Sequence, residues 1–436
     1  DPWVLTSRLH SMTFLWPAAL GFALVAASAP APPRDEEVCT PGNASCAPDA
    51  EKADEFSALQ SRRIWNESEP EPKPIVSAVD KFEHFLKTFG RKYRKDTHPE
   101  EWAKRFAHFM DTIVKIEERN EYERLFNKHP QRATHGITMF ADWSREEFLA
   151  LLGARQNDSN ALIEAQASAG SRAGDKVDRV PCNANWAHLT SNRNQGACGS
   201  CWAFATAEAV RANYRIQHGR DPGQLSTQYL VDCVYRASCG KAVNGCCGGS
   251  ALYAMHYIKT HGGLPTKDAY GRDGSVNHPS RSYPCNQRVK RAVKVTDVSR
   301  EKTEKDLAHY VCKSGPATLS VDSETWSTYT GGVMAKRSCG TKWNHAVLAV
   351  GLDRKLNAWI VQNSWGAWGA TITGEAVKND EYSNCDKFKK RCHKPKWAIK
   401  CPRTCSPSLP PGGYIFLEYG TETCGLPGRS LGVSTK

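Results

Sequence analysis

The segment Asn194-Gln-Gly-Ala-Cys-Gly-Ser-Cys-Trp-Ala-Phe204 runs into an Ala-rich stretch that starts at Cys201 and stops at Gly219. The pattern predicts a helix with Cys201 in its first turn, where the positive end of the backbone dipole and unpaired N–H groups favour a thiolate. A low thiol pKa is what a cysteine nucleophile needs. The plain alternative, a structural cysteine, applies to any one of the 17 in this chain, but Cys198 already offers a disulfide partner at this turn. Two later pieces bear on the choice. Asn344-His-Ala-Val-Leu-Ala-Val-Gly351 sets His345 at the start of an apolar, strand-like run, and Trp359-Ile-Val-Gln-Asn-Ser-Trp-Gly366 supplies Asn363 beside Trp365.

Three motifs in this order resemble the papain-like cysteine proteases, the cathepsin family, over nearly the whole of residues 179–436. In that family a Cys-Gly-Ser/Ala-Cys-Trp/Tyr segment is followed by His and Asn roughly 130 to 150 residues later. His345 fits, and Asn363 lies slightly past. The resemblance implies an α+β, two-lobed fold with a helical left domain carrying Cys201 and a β-barrel-like right domain carrying His345 and Asn363. It implies no metal and no cofactor. Cys201 as thiolate would attack the peptide carbonyl, and His345 would stabilise it and protonate the leaving amine. Asn363 would orient the imidazole under the cover of Trp365, and the Gln195 amide with the Cys201 N–H would receive the oxyanion. The family disulfides carry over as Cys198 with Cys246, Cys233 with Cys285, and Cys339 with Cys424. The pocket for the residue two before the cut would involve Gly248, Gly249, Ser250, Ala251, Asn344 and Trp365, with Arg429 at its base. Small walls and an arginine suit an acidic or polar side chain; an Arg429 turned to solvent is the equal alternative.

Upstream, residues 76–152 place Phe82, Phe85, Phe89, Trp102, Phe106, Phe109, Ile113 and Ile116 at helical spacing. This unit resembles the inhibitory I29-type prodomain of cathepsin L- and F-like proteases. Its helix motif appears as Glu101, Arg105, Phe109, Ile116 and Asn120, with Thr112 in place of an Asn, and its second motif as Gly136, Phe140 and Asp142, with Thr138 in place of an Asn. By resemblance it would pack on the protease and send the following segment through the cleft in the unproductive direction. Salt links of carboxylates such as Asp142 and Glu101 would be lost on protonation, so acid should loosen the inhibitor. Residues 153–178 read as a cleavable linker.

The 436 residues suggest two or three folded units, and 40% hydrophobic with 24% charged residues exclude a multi-pass transporter. The net charge of +12 is scattered apart from one cluster, with no ladder of basic and aromatic residues to suggest nucleic acid. Residues 1–31 read as upstream residues and a signal peptide whose apolar core follows Met12 and ends at Ala27, Ser28 and Ala29. Residues 32–75 read as a disordered linker. The cysteine count and sequons at Asn43, Asn66 and Asn157 agree with secretion or a lysosomal destination. The expected partners are protein or peptide substrates, the chain's own prodomain and cystatin-type inhibitors, the protein being a monomer.

Between Trp368 and Gly413 lies an insertion, about 370–412, with Cys385, Cys392, Cys401 and Cys405 among Lys387, Lys389, Lys390, Arg391, Lys394, Lys396, Lys400 and Arg403. Zinc held with His393 is one reading, but four cysteines in an oxidising compartment are more often two disulfides. Cys182 with Cys312, and Cys239 with Cys247, are further possible pairs, and Cys39 and Cys46 could close a small loop. A basic exosite for acidic protein or glycan partners follows, with a solvated loop as the alternative. A second functional reading makes the insertion a toxin-like binding module on an inactive protease body.

Overall fold

The computed structural model describes residues 77–154, 182–234, 245–271, 283–372, 384–392 and 412–436, the backbone of 168–169, 238–239 and 242–244, and Trp397, Cys401 and Thr404. The expected signal peptide and linker, Asn43, Asn66, Asn157, Cys39, Cys46, His393 and Cys405 lie outside the described residues. Those described belong to one unit that begins at Val76.

The first part is built by aromatic spacing. Ser77 caps α1 (Ala78–Thr88) by accepting the Asp80 N–H, and Pro99, which needs no N–H partner in a first turn, opens the long α2 (Pro99–Phe126). Phe82 lies 5.1 Å from Phe109 and 5.3 Å from Trp102, ring centre to ring centre, which closes the two helices around a small core of their own. A short strand β1 (Thr134–His135) follows, then α3 (Arg145–Leu151), whose start is fixed by a reciprocal cap between Ser144 and Glu147.

The larger part contains β2 (Ala184–Asn185), α4 (Cys201–His218), α5 (Thr227–Cys233) and α6 (Ala251–Thr260). Every residue from Cys201 to Val210 is buried, so α4 is a central helix rather than an amphipathic surface one; Gly219, at φ 70°, ends it in the left-handed conformation open to glycine. Strands β3 (Val295–Glu301), β4 (Ala317–Val321), β5 (Tyr329–Gly331), β6 (Val333–Met334), β7 (His345–Asp353), β8 (Ala358–Gln362), β9 (Tyr414–Glu418) and β10 (Ser430–Thr435) follow, with helix α7 (Glu304–Lys313) between β3 and β4. The main sheet runs from the strand at 168–169 through β3, β10, β4, β7, β8 and β9 to β6, and β2 adds to β7. It is antiparallel except at its two ends. Both β7 and β8 are buried at every position, which is why they read as continuous apolar runs instead of alternating ones.

Disulfides join Cys198 to Cys246, Cys233 to Cys285, Cys339 to Cys424, Cys182 to Cys312 and Cys385 to Cys401. Cys247 and Cys392 are also half-cystines. Among the described residues Cys201 is the free cysteine, and it is buried.

Candidate active site

Helix α4 and strand β7 begin side by side. Cys201 is the first residue of the helix, His345 the first of the strand, and the Ala346 N–H donates to Cys201 Sγ at 3.4 Å. On the next strand, Asn363 follows the end of β8; its Oδ1 lies 2.8 Å from His345 Nε2 and also accepts the Ser364 N–H. An oxygen that already accepts one hydrogen bond acts as acceptor to the imidazole too, so Nε2 carries the hydrogen and Nδ1 is left with its lone pair. Nδ1 is buried and makes no hydrogen bond. The Trp365 ring stacks on His345 at 4.8 Å and is itself buried, so water has no route to the His345–Asn363 bond from that side.

Gln195 stands on the other side of the thiol. Its Oε1 accepts the Ser364 hydroxyl at 2.6 Å, which fixes the amide and aims Nε2 at two carbonyls, Cys198 at 2.8 Å and Leu151 at 3.0 Å. Leu151 belongs to the upstream part. From there the chain passes over the cleft: Gly153 C=O accepts the Gly249 N–H at 2.8 Å, and the Ala154 N–H donates to Asn344 C=O at 3.0 Å. Ala154 pairs with Gly249 in the parallel sense. The Gly153 N–H of this segment also bears on Cys201 Sγ as a donor. Gly153 also admits no side chain, since a Cβ would fall 1.9 Å from the Gly199 carbonyl oxygen.

This cover reverses the expected ionisation. Burial pushes the Cys201 thiol up to about 11, against hydrogen bonds from the Ala346 and Gly153 N–H groups, and burial pushes His345 down to about 4. The helix start alone led us to expect a thiolate. In the covered protein the loss of water outweighs the dipole, and thiol and imidazole are both neutral.

The upstream part is held by groups the motifs named and by several they did not. Arg105 donates to Glu101 at 2.6 Å and in bidentate fashion to Glu147 at 2.6 and 2.8 Å. Asp142, nearly buried, takes Arg91 at 2.7 Å and the Tyr93 hydroxyl. Asn120 pins β1 to α2 by exchanging two hydrogen bonds with the His135 backbone, both 2.8 Å. Phe109 is fully buried, Ile116 half-buried, and Gly136 packs its Cα face against Thr330. Phe140 and Phe148 meet Trp365 edge-on at 5.1 and 5.5 Å, so the tryptophan that covers the histidine is also the docking surface for the upstream unit. Thr138, the residue departing from the motif, donates to the Ser327 carbonyl across the interface. Sequence reasoning missed Arg119, which donates to Thr325 C=O and to the Ser327 and Thr328 hydroxyls, and Glu123, which accepts from Asn127 and Ser338. It missed Arg91 and Glu147 as well; Glu147 alone had a local signal, the Ser-x-x-Glu cap. Of the expected pocket residues, Gly249 and Asn344 both bond the segment that crosses the cleft. Gly248 takes φ 92°, Ser250 and Ala251 begin α6, and Asn344 is turned by its side chain toward Ser323 and Asp322. Trp365 lies over His345 rather than along Gly249, and Arg429 is half-buried just before β10.

Comparison with known proteins places this geometry. Residues 177–390 match the family described as papain family cysteine protease, and residues 82–148 match the cathepsin propeptide inhibitor domain (I29). "Cysteine proteinase COT44" of Brassica napus is 34% identical over 278 residues, covering 61% of this chain and 79% of that protein. "Pro-cathepsin H" of Medicago truncatula is 33% identical over 303 residues, covering 66% and 78%. Among solved structures, a digestive procathepsin L 3 of Tenebrio molitor larval midgut shares the fold with TM-score 0.58 at 23% identity, covering 82% of this chain and 99% of that one. A recombinant stem bromelain precursor gives TM-score 0.56 at 25% identity, covering 82% and 98%.

Proposed function

This chain belongs to the papain family of cysteine proteases and carries the family's inhibitory propeptide, and from that premise we propose that it is a secreted or lysosomal endopeptidase made as a zymogen. The observation that carries the reading is the convergence of a helix-start thiol, an imidazole with one free nitrogen, and an amide that fixes the other nitrogen.

Once the prosegment leaves, water re-enters and both burial penalties fall. The proton then moves from Cys201 to His345 Nδ1, and the helix start stabilises the thiolate. The thiolate attacks the peptide carbonyl, Gln195 Nε2 exchanges the Leu151 carbonyl for the developing oxyanion, and His345 gives its proton to the leaving amine. Water attacks the thioester with His345 as base, which frees the acid and restores the thiol. Asn363 holds the ring for both steps. We assign residues 76–152 as the inhibitor, 153–178 as the linker to be cut, Ser250, Ala251 and Arg429 as the pocket favouring an acidic or polar side chain, and cystatin-type proteins as outside inhibitors. The basic insertion is assigned a role in binding acidic partners.

The test is to bring purified proprotein to about pH 4.5 with a mild thiol, beside Cys201→Ala, and to follow size and hydrolysis of fluorogenic dipeptides with aliphatic or acidic second residues. Loss of the prodomain's mass and turnover in the parent alone supports the reading, and the substrate ratio judges Arg429. No turnover after another protease has removed the prodomain would sink it.

A further inference from the structure

Behind the catalytic helix, the insertion forms the wall of a second cavity. Its described part includes the helical turn Cys385–Arg391, pinned by the Cys385–Cys401 disulfide and by Phe388 stacked on Trp397 at 3.7 Å. This turn faces the far end of α4. A cavity of about 180 Å³ lies between them, lined by Arg215, Arg220, Lys389, Lys390, Asp221 and His188. At 1.5 Å per residue, the stretch of helix from Cys201 to Arg215 puts it about 20 Å from the nucleophile, outside the substrate cleft.

The charge balance of the cavity is uneven. Asp221 is already engaged by Arg211 at 2.8 Å and Arg215 at 3.6 Å. Half-buried His188 is pushed down to about 4 by desolvation, with its Nε2 at the Cys392 carbonyl, and adds no charge at neutral pH. None of the ion pairs among the described residues involves Arg220, Lys389 or Lys390, and these last two are fully exposed on the turn. Arg220, Lys389 and Lys390, with no paired carboxylate among the described residues, repel one another and gain from an anion.

We propose that this cavity binds a sulfated polysaccharide. The surroundings decide the class of polyanion. Peptide binding by strand addition or through side-chain pockets has little to use here, since Leu189 is the one large apolar side chain in the lining and no strand contributes to it, and an acidic peptide held by charge alone is the competitor that poly-glutamate represents in the test. Single-stranded nucleic acid needs exposed aromatic faces, and the two aromatic rings of the insertion among the described residues, Phe388 and Trp397, are stacked on each other with Arg391 over Phe388. What the cavity offers is a guanidinium fork and two ammonium groups at a mouth sized for one sulfated sugar unit, with the polymer continuing over Lys387 and Arg391. The site deepens the acidic-partner reading given above and stands independently of the protease chemistry.

The test is binding of full-length Cys201→Ala proprotein to heparin, with poly-glutamate and single-stranded DNA of equal charge as competitors. The parent is compared with Arg220→Ser/Lys389→Ser/Lys390→Ser and with Lys302→Ser/Lys305→Ser/Lys313→Ser, which removes equal charge from exposed positions on another face. The expected result is a Kd at least about tenfold weaker for the first triple alone, with the slope of log Kd against log salt reduced by about two, and heparin as the strongest competitor. Equal weakening by both triples would reduce the effect to overall charge and overturn the site. Poly-glutamate or DNA matching heparin would overturn the ligand class. The same triple built on the active parent, with unchanged dipeptide hydrolysis, excludes misfolding as the cause and separates this result from any failure of the protease reading.

Discussion

The two parts of the chain are held together by different chemistry. The prodomain, residues 77–154 as described, contains no cysteine and relies on an aromatic core and on ion pairs such as Arg91–Asp142 and Arg105–Glu147. The protease body relies on its apolar sheet and on disulfides, including Cys198–Cys246 against the nucleophile's own turn and Cys182–Cys312 spanning the fold. Disulfides are indifferent to acid, and carboxylate pairs are not. The part to be discarded is therefore tied by links that acid can open, whereas the part that must work afterwards has carboxylate pairs such as Arg211–Asp221 backed by disulfides that acid leaves intact.

The strongest way to break this contrast is chemical reduction. Closing the 48-residue separation between Cys198 and Cys246 is worth about 4 kcal/mol by chain entropy. Cys198→Ala/Cys246→Ala should lower the melting midpoint of the activated enzyme accordingly, while the proprotein's activation profile against pH keeps its shape. A shifted pH profile would show that the disulfide takes part in prodomain release, and the two regions would not be separable.

Next in size is Gly153→Ala. A methyl group has no room against Gly199, and forcing one in should cost roughly 1 to 3 kcal/mol of prosegment docking. Activation at fixed pH should quicken about five- to a hundredfold, with kcat of the mature enzyme unchanged because residue 153 is then gone. An unchanged rate would mean that docking depends on the Trp365 contacts and not on the segment in the cleft.

Much of this was legible in the sequence because the relevant signals are local. A cysteine before an Ala-rich run, a histidine opening an apolar run and an asparagine ending another each declare their own element, and the sheet brings the last two into register through adjacent strands. The ionisation of Cys201 and His345 was not legible, since it depends on how deeply the folded chain buries both groups. Arg91, Arg119 and Glu123 were missed for a related reason: each sits on a helix or loop with no motif of its own, and its partner is remote in sequence, within the upstream part for Arg91 and across the docked interface for Arg119 and Glu123. Trp365, read as part of the pocket, lies over the histidine and against Phe140 of the upstream part, contacts that no local signal declares.

The smallest expected effect bears most directly on the acid half of the contrast. The Glu147 carboxyl, although partly desolvated, is held below its ordinary value by the Arg105 guanidinium and by the Ser144 N–H. A carboxyl depressed in the folded state contributes stability that is present above its unfolded pKa of about 4.3 and disappears as pH falls through the folded value. Glu147→Gln lacks that contribution at every pH, yet keeps a side chain able to close the cap with Ser144. Because Glu147 is more than a third exposed, solvent screens the pair, and the loss should stay below about 1 kcal/mol. The variant should therefore activate about two- to fivefold faster than the parent at pH 6, with the two rates converging as pH drops below about 4. Rates that differ equally at pH 6 and pH 3.5 would assign Glu147 a packing role and remove it from the acid response.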